Sequence, residues 1–158
     1  MFHIVDDELM IRDVLTELIS SLGHDVKGFS CPVEYLDYMK CSDYQRPIAI
    51  LTDVRMPKMS GFEMIKEIRE YYPKQKFVVI SGYSEERVAL GKRACQYIAK
   101  PFNPVEVEYI ANSMANCHEH GPLPNVTEGC KKQVSEEHLD VWECPLDCFD
   151  CDTKHELF

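Results

Sequence analysis

The sequence predicts an α/β fold, in which five parallel strands form a sheet with helices on both faces. Three observations lead to this prediction. Short apolar runs alternate along the chain with segments that carry apolar residues at helical spacing. Some runs, such as residues 77–80, are apolar at every position, which is typical of parallel strands buried on both faces. Polar or charged residues follow the runs directly, as at the sheet edge where open α/β folds carry their chemistry.

The first half of the chain supplies three of the strands. His3 lies within the first apolar run, and we expect it to pack there with an ordinary pKa. Gly23 follows the first helical stripe and is a common stop signal. Ser30 is the expected N-cap of the second helix, with Pro32 in its first turn. These patterns predict strands over residues 2–5, 26–29 and 48–52 and helices over residues 9–22 and 32–39.

The second half repeats the alternation of strands and helices. Residues 56–61 contain a proline and end in a glycine, so they form a loop. The helix after this loop ends before Pro73, which cannot continue it. Asn103 is the expected N-cap of the last helix, with Pro104 in its first turn. These patterns predict helices over residues 62–72, 85–93 and from residue 104 onward, and strands over residues 77–80 and 97–99.

Acidic residues follow two of these strands. Asp6 and Asp7 come after the first strand, and Asp53 comes after the third. In the doubly wound strand order 2-1-3-4-5, these strand ends are neighbours at the topological switch point, so the carboxylates should converge. Three ionised carboxylates need a counter-charge, and Mg²⁺ is a hard cation that prefers such ligands. If Asp53 attacks a phosphoryl group, Lys100 and Ser81 at the flanking strand ends would bind the transferred oxygens.

The motifs at these strand ends resemble the receiver domain of two-component response regulators. The resemblance covers residues 1–116 and is specific, because several spaced elements agree at once. It implies the flavodoxin-like, doubly wound (βα)5 fold. The matching elements are Asp6-Asp7 with Glu8, Asp53 followed by Met56-Pro57 and Gly61, Ser81-Gly82, and Lys100-Pro101-Phe102.

The same resemblance implies a role for each residue of the predicted pocket. One residue accepts the phosphoryl group, others bind Mg²⁺ or phosphate, and two form a conformational switch. The implied assignments are Asp53 as phosphoacceptor; Asp6, Asp7, Asp53 and the backbone carbonyl of Arg55 as magnesium ligands; Lys100 as the phosphate-binding lysine; and Ser81 and Tyr97 as switch residues.

The resemblance therefore implies a signalling switch and not an enzyme that turns over a substrate. The phosphoryl group would come from a sensor histidine kinase or a phosphotransfer protein. Phosphorylation would reshape the face made by the helix over residues 85–93, the strand over residues 97–99 and the last helix. An unidentified protein target, or a second copy in a phosphorylation-dependent homodimer, would bind that face.

Composition limits the other function classes. The formal net charge is −10, with 17 basic against 27 acidic residues, which argues against a nucleic-acid surface because the phosphate backbone requires a basic face. No apolar run approaches the roughly 20 residues that a membrane-spanning helix needs. The first predicted strand begins at residue 2, which leaves no room for a cleavable leader. We therefore expect a cytoplasmic protein without membrane contact.

Residues 117–158 are predicted to form a linker and a tail that is rich in cysteine and histidine. This segment is too short to build a core without a metal or a partner. Its thiolates and an imidazole could form a closed zinc site or hold an iron–sulfur cluster, and a reduced tail without metal is the simplest alternative. A metal or redox sensor with a regulatory receiver is thus the second functional hypothesis. The candidate ligands are Cys144, Cys148, Cys151 and His155.

Overall fold

The computed structural model describes residues 1–82 and 94–120. The strands are β1 (Phe2–Val5), β2 (Val26–Phe29), β3 (Ala49–Asp53), β4 (Lys76–Ser81) and β5 (Gln96–Ala99). The helices are α1 (Leu9–Ser21), α2 (Pro32–Met39), α3 (Gly61–Tyr71) and α4 (Pro104–His120). All neighbouring strands pair in parallel, in the order β2-β1-β3-β4-β5. The predicted fold class and strand order are confirmed.

Several sequence predictions fall outside the described residues. They include the helix over residues 85–93 and the candidate metal ligands Cys144, Cys148, Cys151 and His155. The zinc or iron–sulfur site thus stays a prediction from the sequence. α4 extends to His120, past the predicted domain boundary at residue 116. Within the described ranges, no helix has the length and hydropathy required to cross a bilayer.

The sheet separates two apolar clusters. On one face, α1 and α4 pack against the strands through side chains such as Leu15 and Met114. On the other face, α2 and α3 contribute side chains such as Met64. Consecutive strand residues serve opposite clusters, since Leu51 belongs to the first and Ile50 to the second. Burying a large aliphatic side chain contributes about 1.5–3 kcal/mol, so these clusters hold the strand ends in place.

The α3 helix begins with a capping box that the sequence analysis missed. Ser60 Oγ accepts a 3.2 Å hydrogen bond from the Glu63 N–H, and the Glu63 carboxylate accepts a 2.8 Å bond from the Ser60 N–H. These reciprocal bonds satisfy two backbone donors and define where the loop after β3 ends. The start of α3 is therefore fixed close to the end of β3.

The predicted cap of α2 was wrong by one residue. The N-cap is Cys31, whose Sγ accepts a 3.5 Å hydrogen bond from the Glu34 N–H. Pro32 occupies the first helical position, so the cap must be the residue directly before it. Ser30 instead donates its N–H and hydroxyl to the Glu34 carboxylate, at 2.8 and 2.7 Å. The predicted cap of α4 is observed, since Asn103 Oδ1 accepts a 3.0 Å bond from the Val105 N–H.

His3 is completely buried beneath α2, and its predicted ordinary pKa was wrong. Nδ1 lies 3.1 Å from the Tyr35 hydroxyl, and Nε2 lies 3.2 Å from Met1 Sδ. Burial, together with the positive charge of Lys27, lowers the pKa of His3 from 6.5 to about 4. The imidazole is surrounded by aromatic rings, including Phe29, and a proton there would lose its hydration.

Acid is expected to destabilise the protein through His3. Between pH 6.5 and about 4, the unfolded chain binds a proton at this residue that the folded chain does not bind. The free energy of unfolding therefore falls as the pH falls through this window, by up to about 3 kcal/mol. Urea unfolding at several pH values should show this loss in the wild type and not in His3→Phe. The control is His24→Gln, at a half-buried histidine, and its free energy of unfolding should depend on pH as in the wild type. If His3→Phe also showed the wild-type dependence on pH, the assignment to His3 would be contradicted.

Candidate functional site

Three carboxylates meet at the carboxyl edge of the sheet. β1 and β3 pair with Val5 opposite Thr52, so the next residue of each chain segment reaches the same edge. These next residues are Asp6 and Asp53. One carboxylate oxygen from each of Asp6, Asp7 and Asp53 lies within 4.8 Å of the other two. The structure thus brings together the three acids that the sequence predicted to converge.

Asp53 is held from two sides. Its side chain is only 10% exposed. Oδ1 accepts a 2.7 Å hydrogen bond from the backbone N–H of Val54, and Oδ2 accepts a 3.1 Å bond from Lys100 Nζ. Both oxygens are therefore oriented by the protein itself, which reduces the cost of aligning them with a reacting group.

Lys100 supplies the positive charge of the site from the end of β5. Its Nζ lies 3.0 Å from Asp6 Oδ2 and 3.1 Å from both Asp53 Oδ2 and Glu8 Oε1. Although burial opposes it, the hydrogen bond and charge of Asp6, with the charge of Asp53, raise the pKa of Lys100 above its usual value. The amine therefore remains an ammonium ion and partly neutralises the acidic cluster.

Asp6 is the most deeply buried acid of the site, with 1% of its surface exposed. Burial raises the pKa of its carboxyl, against the opposing hydrogen bonds from the Glu8 N–H and from Lys100. Arg12 of α1 donates a 2.6 Å bond from Nη1 to the Asp6 backbone carbonyl and holds the turn after β1. The sequence analysis missed Arg12 and gave Glu8 no role. Glu8 was detectable from its place beside the acid pair, whereas Arg12 belongs to no motif.

Gly61 lets the start of α3 pack directly on the end of β3. Its N–H donates a 2.9 Å hydrogen bond to the Val54 carbonyl. A Cβ at this position would collide with the Asp53 carbonyl oxygen and would lie 3.2 Å from Thr52 Oγ1. Gly61 was noted in the sequence only as part of a motif, and the close approach gives its physical reason.

The two predicted switch residues are in contact. β4 pairs with β3 so that Ile80 lies opposite Asp53, and the buried Ser81 follows at the same edge. The backbone carbonyl of Ser81 accepts two hydrogen bonds, one from the Tyr97 hydroxyl at 3.1 Å and one from the Lys100 N–H at 2.8 Å. Tyr97 is half-buried and packs against the cluster under α2 and α3. A shift of the Ser81 backbone would therefore disturb its bonds to Tyr97 on β5 and to Lys100 directly after β5.

The acidic cluster fits a magnesium ion. Mg²⁺ binds oxygens at about 2.0–2.1 Å in octahedral geometry, which places its ligands roughly 3–4 Å apart. The three carboxylate oxygens all lie within 4.8 Å of one another, which is close to this spacing. The donors are all oxygen, which suits a hard cation. Arg55 lies in the loop directly after β3, and a ligand role for its backbone carbonyl stays a prediction.

Comparison with known proteins gives consistent matches over most of the chain. The model of the response regulator receiver domain matches residues 2–112. The chemotaxis protein CheY of Thermotoga maritima is 30% identical over 119 residues, which cover 71% of this chain and 94% of CheY. The solved structure of the response regulator protein TrrA from Thermotoga maritima, in complex with Mg(2+)-BeF, has a TM-score of 0.64 and 28% identity, and the match covers 72% of this chain and 96% of that chain.

A larger relative matches through one part of its length. The DNA-binding transcriptional regulator NtrC of Proteus hauseri is 28% identical over 136 residues, which are 84% of this chain and 28% of NtrC. The family model includes every residue of the pocket described above, from Asp6 to Lys100. The strand order observed in the sheet agrees with the fold that the resemblance implied. The family model matches more than half of the chain, so the chain belongs to the response regulator receiver domain family.

Proposed function

We propose that this protein is a two-component response regulator that accepts a phosphoryl group on Asp53. The contact between Asp53 and Lys100, 3.1 Å apart and beside Asp6 and Asp7, is the observation that carries the proposal. It joins a nucleophile, a fixed cation and a set of metal ligands at one sheet edge. Membership of the receiver family supports the same role.

The chemistry is a phosphoryl transfer between two nucleophiles. A carboxylate oxygen of Asp53 attacks the phosphorus of a phosphohistidine, the P–N bond breaks, and the imidazole nitrogen leaves with the electron pair. Lys100 donates a hydrogen bond to a transferred oxygen, and the Ser81 hydroxyl binds another. The Val54 N–H keeps Asp53 oriented during the attack. Such transfers depend on positioning and on neutralising charge, and these residues supply both.

Bound Mg²⁺ would neutralise negative charge on the transferred oxygens. Asp6, Asp7, Asp53 and the backbone carbonyl of Arg55 would hold it. The complex of the relative TrrA with Mg(2+)-BeF supports the binding of Mg²⁺ by a protein of this fold. No observation in the described residues supports a metal-sensing alternative.

Signal output would start at Ser81. The transferred phosphoryl group draws the Ser81 hydroxyl toward Asp53, and Tyr97 moves because its hydroxyl is bonded to the Ser81 carbonyl. β5 carries Tyr97 and lies at the edge of the sheet, so its movement changes an outer face of the protein. A protein target, or a second copy of the chain, would bind this face.

The proposed phosphodonor is a sensor histidine kinase or a phosphotransfer protein in the cytoplasm. Although the relative NtrC is named as DNA-binding, the match covers only 28% of its length. The formal net charge of −10 disfavours direct contact of this chain with nucleic acid. We therefore propose protein–protein interaction as the output.

Acetyl phosphate with Mg²⁺ is expected to add one phosphoryl group to the full chain, measured by intact-mass spectrometry. Removing the metal with EDTA should slow the reaction by about 100-fold or more, because Lys100 alone cannot neutralise the phosphoryl charge and the three carboxylates. Excess Mg²⁺ added after EDTA is the control and should restore the rate. Equal rates with and without the metal, or no gain of mass, would contradict the proposal.

A further inference from the structure

Glu8 contacts the catalytic pocket from its rim. It follows the acid pair and directly precedes α1, and its side chain is 61% exposed. Its Oε1 nevertheless lies 3.1 Å from Lys100 Nζ, the same distance that separates Lys100 from Asp53. An exposed glutamate is thus bonded to the cation on which the proposed phosphoryl transfer depends.

These contacts occupy every donor of the lysine. An ammonium group carries three N–H donors. Lys100 directs one to Asp6, one to Glu8 and one to Asp53, at 3.0, 3.1 and 3.1 Å. A phosphoryl oxygen can bind Lys100 only if one of these three bonds is released or transferred.

The cost of release differs among the three carboxylates. The side chains of Asp6 and Asp53 are 2% and 10% exposed, so freeing either one leaves a buried charge without its partner. Glu8 is mostly in water, and its carboxylate can return to solvent at little cost. Glu8 is therefore the partner that an incoming phosphoryl oxygen displaces most easily.

We propose that Glu8 is a positioning residue that competes with the phosphoryl group for Lys100 and so restrains phosphorylation of Asp53. In the unphosphorylated protein it accepts the third hydrogen bond of the ammonium group. It also adds negative charge at the rim of the pocket, where the anionic phosphodonor must enter. This inference rests on the proposed function. It concerns the rate of the reaction and not the identity of the phosphoacceptor.

The test compares wild type with Glu8→Gln in the full chain, using acetyl phosphate and Mg²⁺. The amide accepts a weaker hydrogen bond and carries no charge, so the rate constant of phosphorylation should rise about 2- to 5-fold at low ionic strength. At about 1 M salt, where the Debye length is about 3 Å, the two rates should converge. A merely structural role of Glu8 would not produce this dependence on salt.

Glu17→Gln is the matched control, because Glu17 is exposed on α1, the helix that Glu8 directly precedes, and has the same charge. It should leave the rate unchanged at both ionic strengths. An unchanged or lower rate for Glu8→Gln at low ionic strength would overturn the inference. If the wild type itself takes up no phosphoryl group, the proposed function fails as a whole, so the two failures are distinguishable.

Discussion

Asp53→Asn is expected to abolish phosphorylation by acetyl phosphate and Mg²⁺. The amide replaces the carboxylate oxygen that would attack phosphorus, and it removes a charged ligand from the acidic cluster. The loss should exceed about 100-fold, which is the scale on which removal of a nucleophile slows group transfer in enzymes. Intact-mass spectrometry after incubation with the donor measures the remaining incorporation.

The variant should fold normally, which makes the result interpretable. The amide oxygen can still accept the bond that Val54 N–H gives to Oδ1, and Lys100 keeps its contacts with Asp6 and Glu8. Far-ultraviolet circular dichroism should therefore match the wild type. Asp25→Asn, an exposed acid directly before β2 at the opposite edge of the sheet, is the control and should be labelled normally. Wild-type incorporation into Asp53→Asn would place the phosphoacceptor elsewhere.

Gly61→Ala is expected to damage both stability and function. The added methyl group would collide with the carbonyl oxygen of Asp53 and lie 3.1 Å from its carbonyl carbon. Both atoms belong to the backbone of a buried strand, so α3 or the end of β3 must move. Overpacking of this kind costs about 1–3 kcal/mol or more. A misplacement of about 1 Å at the nucleophile would also slow phosphorylation by about 100-fold.

Thermal unfolding and phosphorylation kinetics measure these two effects separately. The melting temperature should fall by roughly 4 °C or more. Gly28→Ala is the matched control, because its added methyl group would meet only Arg12 Cδ at 3.8 Å, an ordinary contact. That variant should be as stable as the wild type or slightly more stable, since alanine restricts the unfolded chain. A Gly61→Ala protein with wild-type stability and rate would show that the close packing of α3 on β3 is not needed.

The fold was predictable because its determinants are local. Apolar runs such as residues 77–80 and helical stripes between Gly and Pro signals mark each element, and the observed boundaries differ little from the predicted ones. The α2 cap was missed because serine is a common cap, whereas Pro32 determines the register. The capping box of Ser60 and Glu63 was present in the sequence and was overlooked.

The site was predictable only in part. Asp6, Asp7 and Asp53 could be placed together because parallel strands end at one edge of the sheet. The ordinary pKa expected for His3 was wrong because its burial depends on α2, far along the chain. Arg12 was missed because its bond to the Asp6 carbonyl depends on how α1 packs beside β1.

The sequence alone determined which groups reach the carboxyl edge of the sheet, since each apolar run predicts a parallel strand and each strand end delivers its next residue there. The strand order was implied by the resemblance to receiver domains and is confirmed by the structure. Only the tertiary structure decided how these groups share their bonds. That Lys100 divides its three donors among Asp6, Glu8 and Asp53 depends on side-chain directions and distances between residues remote in the chain. Local patterns carry no such information, because hydrogen bonds of this kind form only after packing has fixed the backbone.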